Sequence, residues 1–185
     1  MIKKVGGKSC VVQSADEIKK ADKLILPGVG HFDAAMERIN SFGLLEALNE
    51  KALVEKVPIL GICLGMQLLT SGSEEGNRPG LNWIPGYAKK FKFDNPKMRI
   101  PHMGWNFVIP VHNHKATDGI DETFRFYFVH SYHVHVENFE HRGLQTHYGL
   151  DFDSFIQNGN IVGAQFHPEK SHKFGMRLVR NFVEM

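Results

Sequence analysis

Cysteine is scarce. Only Cys10 and Cys63 occur among 185 residues, so no disulfide framework holds this chain together. Long apolar runs are missing as well, and none reaches the length of a bilayer span. No secretory signal opens the chain. Neither sign of charge dominates: 22 Lys and Arg against 20 Asp and Glu leave +2 with His neutral. No basic tract is long enough to track a nucleic-acid backbone, so neither nucleic acid nor a membrane is expected as a partner. Internal repeats, low complexity and linkers are absent. What is there is 42% hydrophobic and 23% charged, the mix of a globular protein with a real core. The length suits a single domain over residues 1–185.

Apolar patterning alternates between strand and helix. Ser9–Gln13 reads as a short strand, Ala15–Ala21 as a helical turn or two, and Lys23–Leu26 as a strand ending in Pro27-Gly28-Val29-Gly30. Phe32–Ile39 and Leu44–Glu55 carry apolar residues at helical spacing. Pro58–Ile62 is strand-like, Met66–Thr70 starts a helix, and Ser71–Gly80 is a polar loop. Then strands crowd together: Arg125–His130, Val134–Val136, Gly143–Tyr148, Phe152–Ile156 and Ile161–Phe166. Asn158-Gly159 marks a tight hairpin, and Lys173–Val183 closes as an amphipathic helix. The expected fold class is α/β, with a β-rich second half.

Cys63 sits where this pattern is sharpest. An apolar strand runs straight into Gly61-Ile62-Cys63-Leu64-Gly65, and a helix follows at once. That is the layout of a nucleophile elbow with cysteine in the place of serine. The glycines admit a strained turn that larger side chains would block. The sulfur then lies at a helix start, where the dipole favours negative charge. A nucleophile needs a base, and Ile161–Phe166 leads to His167-Pro168-Glu169. At a strand end, an i, i+2 pair can aim both side chains at one site. The imidazole would take the thiol proton and the carboxylate would hold the imidazole. Taken singly, Cys63 also reads as a small buried hydrophobe and His167 as a packed core histidine.

Two of these runs, Gly61–Gln67 and Phe166–Ser171, resemble the two signatures of class I (triad) glutamine amidotransferases. Leu26–Gly30, Pro101–Asn106 and Phe128–Tyr132 are similar to segments of the glutaminase subunit of imidazole glycerol phosphate synthase. The resemblance covers essentially the whole chain, in order. It implies an open, largely parallel sheet flanked by helices, and hydrolysis of L-glutamine by Cys63, His167 and Glu169. Backbone oxyanion donors are implied at Gly28, Val29 and Leu64, the last also expected from elbow geometry. The substrate contacts implied are Gln67, His130, Ser131 and Tyr132. Spacing alone would also allow Gln67 as a solvent-facing helix residue. Met103, Trp105, Asn106 and Lys170 are implied at a docking face and ammonia gate; by itself Trp105 reads equally as core. The implied partner is a separate synthase (cyclase) subunit in a heterodimer, in a reducing cytoplasm. No cofactor is implied.

Three further expectations complete the reading. Families of this kind open with a hydrophobic strand, whereas Met1–Gly7 looks like the last turn of a first helix with its glycine cap; the first strand is expected to be missing. Eleven histidines include His133-x-His135 and His112-x-His114, but neither pair has a third ligand at a diagnostic spacing, so no metal is expected. The acceptor of the ammonia is open. The end of the chain and Gly149–Gly159 are closer to a paralogous group that amidates sugars for surface polysaccharides. A catalytically silent binding module on the same fold and a cysteine protease or other thiol hydrolase are the remaining alternatives.

Overall fold

A computed structural model describes residues 1–185. Its strands are β1 (Leu24–Gly28), β2 (Ile59–Cys63), β3 (Gly72–Ser73), β4 (Gly86–Lys90), β5 (His102–Phe107), β6 (Ile109–Pro110), β7 (Arg125–His130), β8 (Tyr132–Val136), β9 (Arg142–His147), β10 (Asp151–Asn158) and β11 (Ile161–Ala164). The helices are α1 (Ala15–Lys19), α2 (Phe32–Ser41), α3 (Leu45–Asn49), α4 (Leu64–Leu68) and α5 (His172–Glu184). Nine strands form one mixed sheet in the order β1-β2-β11-β10-β8-β4-β3, with β9 on β10 and β6 on β9. Parallel pairing is confined to β1–β2–β11 and β3–β4. The β-rich second half adds antiparallel partners to this parallel centre. β5 and β7 pair separately as a two-stranded sheet.

Local sequence explains the elements that hold the site. The β2 run Ile59-Leu60 is wholly buried, as a central parallel strand must be. β1 is the sheet edge, the position where Pro27 with its missing N–H is tolerated. α1 opens on a capping box, Ser14 with Glu17. α2 buries Phe32, Met36 and Ile39 at i, i+4, i+7, and α5 buries Gly175, Leu178, Val179 and Phe182 on one stripe. The β10–β11 hairpin turns at Gly159, at φ 60°, as Asn158-Gly159 predicts.

Two apolar clusters form the core. Helices α1 to α4 cover one, around Phe32, Met36, Leu48, Met66 and Leu69. The other is built from phenylalanines, including Phe91, Phe126, Phe128, Phe152, Phe155, Phe166 and Phe182. Phe126 and Phe166 stack with centroids 3.8 Å apart. Each buried ring contributes about 2–3 kcal/mol through burial alone.

Three local expectations change. Ser9–Gln13 is not a strand: it is irregular, and Val11 is 85% exposed. An extended segment becomes a strand only against a neighbouring ladder, and no strand pairs with it. Leu44–Glu55 divides into α3 and a π-helical turn at Glu50–Val54. β3 to β6 were not foreseen. The opening turn follows expectation, with a 3₁₀ helix at Ile2–Val5 closed by Gly6 at φ 89°.

Candidate active site

Cys63 ends β2 and caps α4 with φ 54° and ψ −111°. A non-glycine residue at positive φ is strained, and here the strain lifts the sulfur off the strand into the turn. The turn is too tight for side chains at its flanks. A Cβ on Gly61 would stand 2.6 Å from the Gly65 carbonyl oxygen, and one on Gly65 would overlap the Leu26 carbonyl oxygen. The parallel register sets Gly28 of β1 beside Cys63, so the Pro27–Gly30 turn borders the nucleophile. Leu64 follows it as the first residue of α4, where helix N–H groups have no intrahelical acceptor.

β11 runs parallel to β2 and carries the base to the same edge. His167 Nδ1 bonds Glu169 Oε1 at 2.7 Å. The imidazole is 4% exposed, while half of the Glu169 side chain is open. The backbone under His167 is anchored twice. Its N–H donates to the Tyr127 carbonyl at 2.9 Å, and its carbonyl accepts the buried Ser171 hydroxyl at 2.6 Å. The interaction with Cys63 and then the bond to Glu169 raise His167 from 6.5 to about 9, against the opposing effect of burial. Burial pushes the Glu169 carboxyl up, but its bonds to His167 and backbone, with the charges of His167 and Lys170, bring it net below its ordinary value. His167 Nε2 is buried without a formed hydrogen bond, leaving that nitrogen free on the side of the ring opposite Glu169. The Cys63 thiol rests instead against the Val129 carbonyl at 3.9 Å.

Gln67 lies one turn after Cys63 and is buried, not solvent-facing. Its Nε2 donates to the Tyr132 carbonyl at 3.3 Å and to Gln165 Oε1 at 3.2 Å. Gln165 Nε2 in turn lies 3.8 Å from Cys63 Sγ. Gln165 was not singled out by sequence reasoning, although it stands two residues before His167 on the same strand run. His130, Ser131 and Tyr132 join β7 to β8 beside Gln67. The Ser131 carbonyl accepts Phe91 N–H, and the Tyr132 carbonyl already accepts from His130 Nδ1 and Gln67.

A separate face lies on β5. Met103, Trp105 and Phe107 alternate outward and are 61%, 42% and 55% exposed, which removes the core reading of Trp105. The indole lies parallel to the His172 ring at 5.7 Å and under the Arg125 guanidinium at 5.6 Å. Asn106 is half-buried beside it. The Lys170 ammonium stands 5.7 Å over the Tyr127 ring, between this face and the base. A cavity of about 500 Å³ runs from β1 past Pro27, Gly28 and Val29 to His167 and Glu169.

In the two His-x-His pairs, His112, His114 and His135 have polar protein partners, whereas His133 Nδ1 is buried without one. His112 bonds the Arg142 carbonyl, and His114 bonds the Gly159 carbonyl and caps Ala116. His135 faces the buried Asp153 at 3.9 Å. No helix is long and apolar enough to cross a membrane.

The site therefore holds a thiol on a strained elbow and a His–Glu pair just beyond the neighbouring parallel strand, and comparison with known proteins gives the family. Residues 2–185 match the family described as glutamine amidotransferase class-I, and the chain belongs to that family. A crystal structure titled glutamine amidotransferase shares the fold at TM-score 0.74, covering 100% of this chain and 90% of that one at 14% identity. Within the family, the chain is 50% identical over 184 residues to imidazole glycerol phosphate synthase subunit HisH 2 of Methanococcus maripaludis, spanning 100% of this chain and 91% of that protein. It is 45% identical over 185 residues to the subunit of the same name from Pseudomonas aeruginosa, again covering 100% of this chain and 91% of the relative.

Proposed function

We propose that this chain is the glutaminase subunit of an imidazole glycerol phosphate synthase in histidine biosynthesis. It works as one domain over residues 1–185, in the cytoplasm, as a heterodimer with a separate synthase (cyclase) subunit. The observation that carries the reading is Cys63 at positive φ on the elbow, with the His167–Glu169 pair delivered to the same sheet edge. Both cysteines are free, as suits a reducing compartment. Full-length similarity to HisH subunits favours the histidine pathway over sugar amidation.

The proposed steps follow from the geometry. The Cys63 sulfur, its proton passed to His167, attacks the side-chain amide carbon of glutamine. The tetrahedral oxyanion is met by Leu64 N–H and by the backbone of the Gly28-Val29 turn. His167 returns its proton to the departing nitrogen, ammonia leaves, and a glutamyl thioester remains. Water, deprotonated by His167, then hydrolyses the thioester to glutamate and frees the thiol. Glu169 holds the imidazole in the required tautomer. Gln67 and the backbone of His130, Ser131 and Tyr132 hold the amino-acid end of glutamine. Ammonia that escapes to bulk water is protonated and lost as a nucleophile, so the synthase docks directly. Met103, Trp105 and Asn106 form that docking face, and Lys170 lies at the gate.

The test is glutamate release from glutamine, measured with the synthase subunit present. Cys63→Ala is expected to abolish it, by at least about a thousandfold. Release at the wild-type rate overturns the enzyme reading, and cleavage of peptides but not glutamine points to a thiol protease. Transfer of the ammonia into imidazole glycerol phosphate by the reconstituted pair decides the pathway.

A further inference from the structure

Histidine is costly to bury in an apolar cage, and two histidines here occupy one. His102 is 3% exposed and His130 5%. The His102 ring lies between Tyr148 and Phe128, with centroids at 4.0 and 4.8 Å and nearly parallel planes. Phe91 and Phe152 flank His130 at 5.3 and 5.2 Å. Burial lowers His102 to about 4, and burial outweighs the Tyr132 bond to lower His130 to about 3. Both rings are therefore neutral at physiological pH. The proposed chemistry uses neither ring as an acid or a base.

The position of each proton can be deduced. His130 Nδ1 lies 2.7 Å from the Tyr132 carbonyl. A carbonyl only accepts, so Nδ1 holds the proton and Nε2 is a bare acceptor. His102 Nδ1, 3.0 Å from that Nε2, must then be the donor, which leaves His102 Nε2 bare. Asn106 Nδ2 stands 3.3 Å from it. The Asn106 amide is oriented independently: Oδ1 accepts Phe107 N–H at 2.8 Å, and Nδ2 donates to the His147 carbonyl at 2.9 Å. Every donor thus points the same way, from Asn106 through His102 and His130 to the Tyr132 carbonyl. That carbonyl also accepts Gln67, which leads through Gln165 to Cys63 Sγ.

We propose that His102 and His130 are positioning residues that tie Asn106 on the docking face to Gln67 in the glutamine pocket, through a chain of hydrogen bonds aligned from Asn106 to the Tyr132 carbonyl, the acceptor that His130 and Gln67 share. The docking half rests on the partner reading given above. A partner that fixes Asn106 fixes the Tyr132 carbonyl and the Gln67 amide. Glutamine held by Gln67 then strengthens docking by the same factor, because such linkage is reciprocal. Filling space alone requires no such alignment; apolar side chains fill a cage at lower desolvation cost.

Two measurements test this. In ¹⁵N NMR of the full chain at pH 7, with signals assigned through single substitutions, both rings are expected as neutral Nδ1–H tautomers. An Nε2–H signature in either ring overturns the relay whether or not a partner binds. The second measurement is linkage in a Cys63→Ala background, which stops turnover. The affinity of the synthase subunit is read with and without saturating glutamine. Glutamine is expected to tighten docking about fivefold or more. Adding His102→Leu should reduce that ratio to within about twofold of unity, and His102→Asn, whose amide can replace the Nδ1 donor, should recover part of it. No glutamine effect in the parent, or equal effects in both backgrounds, overturns the proposal. Failure of the parent to bind the synthase at all counts against the partner reading instead, and the tautomers then decide the relay.

Discussion

Two interactions hold the proton on His167 against the pull of burial. The larger is with Cys63, and the second is the 2.7 Å bond to Glu169. The ring must keep that proton to release ammonia, so glutaminase activity should fall as pH rises through about 9. Glu169→Gln removes one of the two raising interactions. The alkaline limb should then move to lower pH, and kcat should drop about 10²–10⁴-fold; a pH–rate profile of both proteins checks both outcomes. An unmoved limb would show that the carboxylate does not govern the imidazole. At this scale the proposed triad is legible in the sequence because Cys63 and the His167–Glu169 pair lie in two short runs, each following an apolar strand. Gln165 and His102 are not legible. Their meaning depends on partners far off in sequence, Gln67 for the first and His130 for the second, and no local pattern marks a buried amide or imidazole as aligned.

Elements position these residues through backbone contact more than through side chains. The turn from β2 into α4 passes so close to β1 that a Cβ on Gly65 meets the Leu26 carbonyl. Gly65→Ala should therefore cost several kcal/mol, at the high end of single substitutions, and displace the nucleophile. A urea melt and a rate assay read the two effects, and near-wild-type values in both would mean the turn is slack. β2 and β11 could be read from sequence because they are buried on both faces and therefore uniformly apolar. β5 could not: His102-Met103-Gly104-Trp105-Asn106 alternates between an aromatic cage and an open surface, which blurs any hydrophobic signal. Ser9–Gln13 shows the opposite error. Its residues favour a strand, but strand formation requires a neighbour, and β1 has none on its outer side.

Across the whole molecule, buried and paired histidines bend stability in opposite directions with pH. Burial lowers His102 and His133 to about 4 and His130 to about 3, all from 6.5. Between pH 6.5 and 4 the unfolded chain binds protons that the folded chain refuses, so stability falls as pH falls, by up to about 1.4 kcal/mol per unit for each ring. From 6.5 to 9 the folded chain keeps a proton on His167 that the unfolded chain gives up, so stability falls again as pH rises. The urea midpoint should peak near pH 6.5–7 and drop more steeply on the acid side; a flat acid side would contradict the buried, neutral assignment. The proposed docking face gives the other whole-molecule prediction. Trp105→Ala should weaken binding of the synthase subunit by about 2 kcal/mol or more, seen by titration calorimetry, with little change in the urea midpoint. The position of that indole has an optical consequence. The chain has two tryptophans; Trp83 is 3% exposed and bonded to Asn49 at 2.8 Å, whereas Trp105 is 42% exposed between Arg125 and His172. Trp83 supplies a constant, shielded emission, and Trp105 supplies the component that water and soluble quenchers can reach. A subunit that covers this face should shift the emission to the blue and cut quenching by acrylamide, and Trp105→Phe should erase both changes. The proposed docking surface thus carries an intrinsic fluorophore, and association there can be followed without a label.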